Sequence, residues 1–162
     1  MPLVRSRSPF ILGFLIAASA LGAAFYLEEI ANLAPCSLCI VQRVFIGAVG
    51  ALCFLGALCV PGRRVARRYA LASILCCSLG AASAVRQLWL QNYANPADAM
   101  CFSGVWHLLT SLPMADAAKA LVLGTPDCAN VTWTLLGMSL PEWSLLTYCG
   151  LAMLAIMAFV RR

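Results

Sequence analysis

The sequence predicts an all-α integral membrane protein, a four-helix bundle with one large outer loop between the third and fourth spans. Three observations predict it. Only 10% of the 162 residues are charged and 63% are hydrophobic, whereas an average soluble domain is about 25% charged; so uncharged a surface suits lipid rather than water. Four apolar runs reach the roughly 17–25 residues that a helix needs to cross a bilayer. With four crossings, eight arginines fall on one side of the membrane.

The spans run approximately over 10–27, 40–60, 69–90 and 143–160 of a single membrane domain, 1–162, and leave a loop over about 91–142. Phe10–Leu27 carries no charge before Glu28, Ile40–Val60 only Arg43, Tyr69–Leu90 only Arg86, and Trp143–Val160 none. Gly13, Gly47, Gly50, Gly80 and Gly150 lie inside them, as small residues do where membrane helices pack closely.

Charge sets the orientation. Arg5 and Arg7 precede the first span, Arg63, Arg64, Arg67 and Arg68 lie between the second and third, and Arg161 and Arg162 follow the fourth. Glu28, Glu29, Asp98, Asp116, Asp127 and Glu142 fall at or beyond the opposite boundary. Basic residues stay inside, so both termini are expected in the cytoplasm. The net charge of +5 is scattered among apolar runs, which argues against nucleic-acid binding. Arg5, Arg7, an apolar stretch and Ala18-Ser19-Ala20 also resemble a secretory signal. The apolar run continues to Leu27, longer than most signal cores, and three remaining spans would pack less naturally. A retained first span is the expectation.

The hairpin over Glu28–Cys39 faces outward, and Pro61-Gly62 turns the chain on the inner side. Pro96, Pro113, Pro126 and Pro141 exclude a long helix from the loop. Ala115–Leu123 has room for a short helix, whose Leu121, Val122 and Leu123 would lie on the membrane surface.

Nine cysteines divide into two groups. Cys53, Cys59, Cys76, Cys77 and Cys149 lie within or at the inner ends of spans, where cysteine acts as a small buried hydrophobe. Cys36, Cys39, Cys101 and Cys128 all fall on the outer side. An even number of cysteines facing an oxidising compartment implies disulfides.

Cys36-Ser37-Leu38-Cys39 is a C-x-x-C pair at the mouth of the second helix, and Pro35 suits a chain entering that helix. The positive end of the helix dipole favours thiolate there. A haem attachment would need His where Ile40 stands. A zinc site would need Cys101 and Cys128 as further ligands, and these lack the spacing of a second knuckle. A redox disulfide needs nothing more. For Cys101 and Cys128 two readings stay open. They form a loop staple, worth roughly 3–4 kcal/mol, or a second redox pair that meets a soluble partner; the flexible stretch Asn95-Pro96-Ala97-Asp98-Ala99-Met100 before Cys101 and Gly124-Thr125-Pro126 before Asp127-Cys128 suit exchange.

Arg43 lies four residues after Cys39, on the same helix face and about 6 Å deeper. Arg86 lies at a similar depth at the outer end of the third span. Each alone is explained by snorkelling to lipid headgroups. A cation one turn below a reactive cysteine would also stabilise a thiolate or the oxygen of a reduced quinone. Gln42, Gln87 and Trp89 would add hydrogen bonds or stacking. His107, the one histidine, reads as a surface residue.

The stretch Pro35-Cys36-Ser37-Leu38-Cys39-Ile40-Val41-Gln42-Arg43 resembles the hallmark of the bacterial disulfide bond formation protein B (DsbB) family. The four-span layout, the outer pair Cys101 and Cys128, Leu136-Gly137, and Pro141-Glu142-Trp143 are similar too. The resemblance covers nearly the whole chain. It implies a multi-pass protein of the bacterial inner membrane that reoxidises a periplasmic thioredoxin-fold dithiol oxidase, DsbA, and reduces ubiquinone or menaquinone from the membrane quinone pool. By that likeness Cys101–Cys128 accepts electrons, with Cys101 in the transient mixed disulfide. Electrons then pass to Cys36–Cys39, with Cys39 beside the quinone and Arg43 assisting. Some members carry an acidic residue where Gln42 stands, and a histidine in the region that Arg86, Gln87 and Trp89 occupy.

Two other functions fit the same layout. A reverse-flow enzyme would reduce disulfides or a quinone epoxide, although in vitamin K epoxide reductases the C-x-x-C pair lies late in the bundle. A tetraspan scaffold would carry inert structural disulfides, and it gives Arg43 no reason to lie below Cys39.

Overall fold

The computed structural model describes residues 2–31, 35–58, 62–93, 113, 119, 121–129 and 133–160. The expected four-helix membrane bundle is the observed fold. Its helices are α1 (Pro2–Ala31), α2 (Ser37–Leu58), α3 (Arg63–Tyr93) and α4 (Leu140–Val160), each long and apolar enough to cross a bilayer. Helices α1 and α3 begin several residues before the apolar runs do. A helix carries its own backbone hydrogen bonds, so the arginine-bearing turns at both starts stay helical beyond the hydrocarbon.

Lipid supplies no hydrophobic drive for helices to associate, so close contact depends on small residues. Along the α1–α2 seam, Gly50 lies against Ala17, a side chain at Gly56 would strike the Phe10 ring, and one at Gly13 would strike the Cys53 sulfur. Phe10 and Ala17 thereby bury α1 in the core with Ile46, Val49, Cys53, Cys77, Tyr148 and Leu151. Gly80 of α3 makes room for the Tyr148 ring of α4. Gly150 differs from expectation: a Cβ added there would meet nothing within 4 Å, so its missing side chain makes no room for a neighbouring helix.

The inner cysteines divide. Cys53 and Cys77 are buried, as expected, and Cys76 is half-buried. Cys149 is exposed on the outer face of α4, where lipid rather than protein covers a small apolar side chain. Cys59 lies outside the described residues. Leu15, Leu75, Met153 and Ile156 also face outward.

Of the expected short helix over Ala115–Leu123, Lys119 and Leu121–Leu123 are helical and the other residues lie outside the described ones. A 3-10 turn, Pro126–Ala129, follows. A two-stranded antiparallel hairpin then pairs Thr134–Leu135 with Met138–Ser139. Its turn residues, Leu136 (φ 55°) and Gly137 (φ 78°), are both left-handed, as the tightest hairpin turn requires. The hairpin runs straight into α4. The Ser139 N–H and hydroxyl both donate to the Glu142 carboxylate, which caps that helix. The Trp143 indole donates to the Leu135 carbonyl at 3.2 Å.

Candidate functional site

Cys36 opens α2, its carbonyl accepting the first helical hydrogen bond from Ile40 at 3.2 Å. One turn of helix brings the Cys36 and Cys39 sulfurs to 3.0 Å. Both are free thiols here. A third sulfur joins them from the segment between α3 and α4. The 3-10 turn seats Cys128, only 1% exposed, against the start of α2. Ser37 is the fastener. Its hydroxyl accepts the Thr125 N–H at 3.3 Å and lies 3.4 Å from the Thr125 hydroxyl and 3.6 Å from the Cys128 sulfur. The turn is pressed close: Gly124 has φ +84°, and a Cβ there would lie 2.7 Å from Leu38 and 2.8 Å from Leu90.

Electrostatics separate the two outermost sulfurs. The neighbouring Cys36 thiol lowers the Cys128 thiol to about 5, against the opposing cost of burial. Hydrogen bonds with the Leu38 backbone, Ser37 and the Thr125 backbone act the same way. Hydrogen bonding to Cys128 and then to Cys39, with burial, pushes the Cys36 thiol up. In the reduced site the negative charge is therefore favoured on Cys128 over Cys36. Exposed amides at a helix mouth favour such an anion.

Below the sulfurs lies a buried polar bridge. Gln87 of α3 (4% exposed) and Gln42 of α2 (3% exposed) meet in the bundle interior. Gln42 Nε2 donates to Gln87 Oε1 at 2.8 Å. Gln87 Nε2 donates to the Cys36 and Cys39 sulfurs, at 3.4 Å each. The Tyr148 hydroxyl donates to the Gln42 main-chain carbonyl at 2.6 Å. Buried polar groups in a membrane interior require such partners.

Both arginines have protein partners. Arg43 forms an ion pair with Glu28 of α1, donates to the Ala24 carbonyl at 3.1 Å and stacks over the Phe25 ring at 5.2 Å. Arg86 donates to the Leu123 carbonyl at 3.2 Å and stacks over Trp89 at 4.7 Å. Thus Cys36, Cys39, Cys128, Gln42 and Gln87 come together. Arg43 turns toward α1, and Arg86 with Trp89 braces the turn before Cys128. Cys101 and His107 lie outside the described residues.

Sequence reasoning missed Ser37, Thr125, Glu28 and Tyr148. Glu28 left a signal, an acid at the depth of a lone arginine. Tyr148 left another, a hydroxyl in an apolar span. Ser37 and Thr125 left none, because their contact spans 88 positions of chain.

Chemically the arrangement suits thiol–disulfide exchange. A Cys128 thiolate stands beside Cys36, and Cys36 stands beside Cys39. Attack at Cys36 of a Cys36–Cys39 disulfide would release Cys39.

Residues 6–158 match the family model described as disulfide bond formation protein DsbB. Similar curated proteins carry the same description. Disulfide bond formation protein B of Stutzerimonas stutzeri is 40% identical, covering 100% of this chain and 99% of its own length. Disulfide bond formation protein B 1 of Pseudomonas aeruginosa is 38% identical over the same shares. Disulfide bond formation protein B of Methylococcus capsulatus is 36% identical, covering 97% of this chain and 96% of its own length.

Proposed function

The chain belongs to the disulfide bond formation protein DsbB family, and from that premise we propose that it reoxidises a periplasmic DsbA-like thioredoxin-fold dithiol oxidase and passes the electron pair to a membrane quinone. The observation that carries this reading is the seat of Cys128 beside Cys36, which joins the outer loop to the C-x-x-C pair.

The relay balances as successive exchanges. A partner thiolate attacks Cys101 of a Cys101–Cys128 disulfide, forming a mixed disulfide and freeing the Cys128 thiolate. The second partner thiol resolves the mixed disulfide, so the partner leaves oxidised. Cys128 attacks Cys36, breaking Cys36–Cys39 and forming Cys36–Cys128. Cys101 then closes on Cys128 and releases Cys36. The two electrons now reside on the Cys36 and Cys39 thiols. Ubiquinone or menaquinone is the acceptor, taking two electrons and two protons to become quinol.

The surroundings support a lipid-soluble acceptor. Cys39 lies within the membrane-spanning length of α2 with Arg43 one turn deeper. Phe25, over which Arg43 stacks, and Val44, next to it in α2, are exposed and apolar, which supports access for a lipid-soluble acceptor at this depth. Arg64, Arg67 and Arg68 begin α3 at the end of the bundle away from the cysteines. Basic residues stay inside, which supports both termini in the cytoplasm and the cysteines in the periplasm of a bacterial inner membrane.

The test mixes detergent-solubilised protein, a reduced thioredoxin-fold dithiol oxidase and a short-chain ubiquinone, and follows loss of quinone absorbance. Turnover that depends on all four outer cysteines is expected. A folded protein without turnover, menaquinone also tried, would favour reverse flow or a disulfide-pinned scaffold.

A further inference from the structure

We propose that Gln87 is a positioning residue for the sulfur relay, holding the charge on Cys39 when Cys39 leaves the disulfide. The assignment rests on the exchange reading of the proposed function. It differs from a direct role in holding quinone, which sequence position alone suggests for Gln87.

The geometry comes from three helices. The Gln87 Oε1 atom accepts from Gln42 Nε2 at 2.8 Å. With its oxygen so engaged, the amide presents its nitrogen to the sulfurs, 3.4 Å from both Cys36 and Cys39. The Tyr148 hydroxyl, bonded to the Gln42 main chain, ties α4 to the same point. The amide is thus held from α2 and α4 while it donates from α3. Among the described residues, Gln87 is the one side-chain nitrogen donor to the Cys39 sulfur.

The chemistry requires a donor there. When Cys128 attacks Cys36, one S–S bond breaks, one forms, and a negative charge moves from Cys128 to Cys39. No electron or proton enters or leaves. At the start the charge has hydrogen-bonding partners at the mouth of α2. At the end it lies inside the membrane span, where an anion without hydrogen bonds is strongly disfavoured. The Gln87 amide provides one. Stabilising the leaving thiolate speeds exchange and raises the potential of the pair.

The test is the redox equilibrium of Cys36–Cys39 with glutathione in the full-length protein carrying Cys101→Ser and Cys128→Ser, read by thiol trapping. Gln87→Leu removes the donor. Gln87→Glu keeps the shape and the acceptor for Gln42 but replaces the N–H donors by carboxylate oxygen. Both variants are expected to become harder to reduce by about tenfold or more, close to 30 mV for two electrons. The Gln87→Leu difference should shrink as pH falls, since a neutral thiol needs no such donor. A Gln87→Glu protein with the wild-type equilibrium would overturn the assignment, and it keeps the test decisive if Gln87→Leu misfolds. Neither partner nor quinone is present, so failure of the relay as a whole would show separately, as lost turnover in the wild-type protein.

Discussion

Tyr148 on α4 donates a 2.6 Å hydrogen bond to the Gln42 carbonyl on α2, and its ring fills the space that the missing side chain of Gly80 on α3 leaves open. Three helices therefore meet one turn below the reactive sulfurs. Gly80→Ala would drive a methyl group into that ring. Overpacking of this kind costs about 1–3 kcal/mol. Unfolding in detergent should show that loss, with Tyr148→Phe milder at about 1 kcal/mol.

Ser37 fastens the Cys128 turn to α2. Ser37→Ala leaves the buried Thr125 N–H without its acceptor, at a cost of about 1–3 kcal/mol. The turn should undock more often and transfer between the two cysteine pairs should slow several-fold. Rapid-mixing kinetics would detect this, while turnover limited only by partner binding would show no change.

The depressed Cys128 thiol gives a signed pH dependence. Its value in the folded, reduced protein is about 5, against an ordinary 9.0. Because the folded value is the lower one, docking of the reduced turn gains stability as pH rises from about 5 to about 9, and loses it as pH falls. Thiolate ultraviolet absorbance should therefore appear as pH rises through about 5. That step should be missing from Cys128→Ser.

Arg43 is held by Glu28, Ala24 and Phe25, so it is a fixed cation rather than a free snorkelling chain. Arg43→Ala is expected to raise the apparent quinone KM about tenfold or more, the scale of a lost charge-assisted hydrogen bond. Partner binding should stay unchanged. Unaltered quinone kinetics would leave Arg43 a structural tie between α1 and α2.

Cys36→Ser and Cys39→Ser should each abolish quinone reduction without unfolding the bundle, since neither side chain is in the helix-packing core. Residual turnover in either variant would remove the C-x-x-C pair from the relay. Mild dithiol should reduce Cys101–Cys128 in the native protein; resistance short of denaturation would make that pair a staple.

Much of the site is legible in the amino-acid sequence. C-x-x-C after Pro35 marks a helix mouth, and α2 starts where the pattern puts it. Gln42 and Gln87 are legible as polar side chains at one depth. Their bond to each other is not, because 45 positions separate them. Spacing alone points Arg43 toward Cys39, whereas Glu28 on a different helix holds it toward α1.

By itself the sequence determined four membrane spans, their order, and the cysteine pair at the mouth of the second. Span length and charge bias are local sums against a uniform solvent, so they are readable residue by residue. Only the tertiary structure decided that Cys128 docks on Ser37 beside Cys36, that Gln87 faces two sulfurs, and that Arg43 pairs with Glu28. Those choices depend on how helices rotate about their axes and where a loop lands. Rotation is set by small-residue seams and buried polar pairing between distant segments, which no single stretch of chain contains.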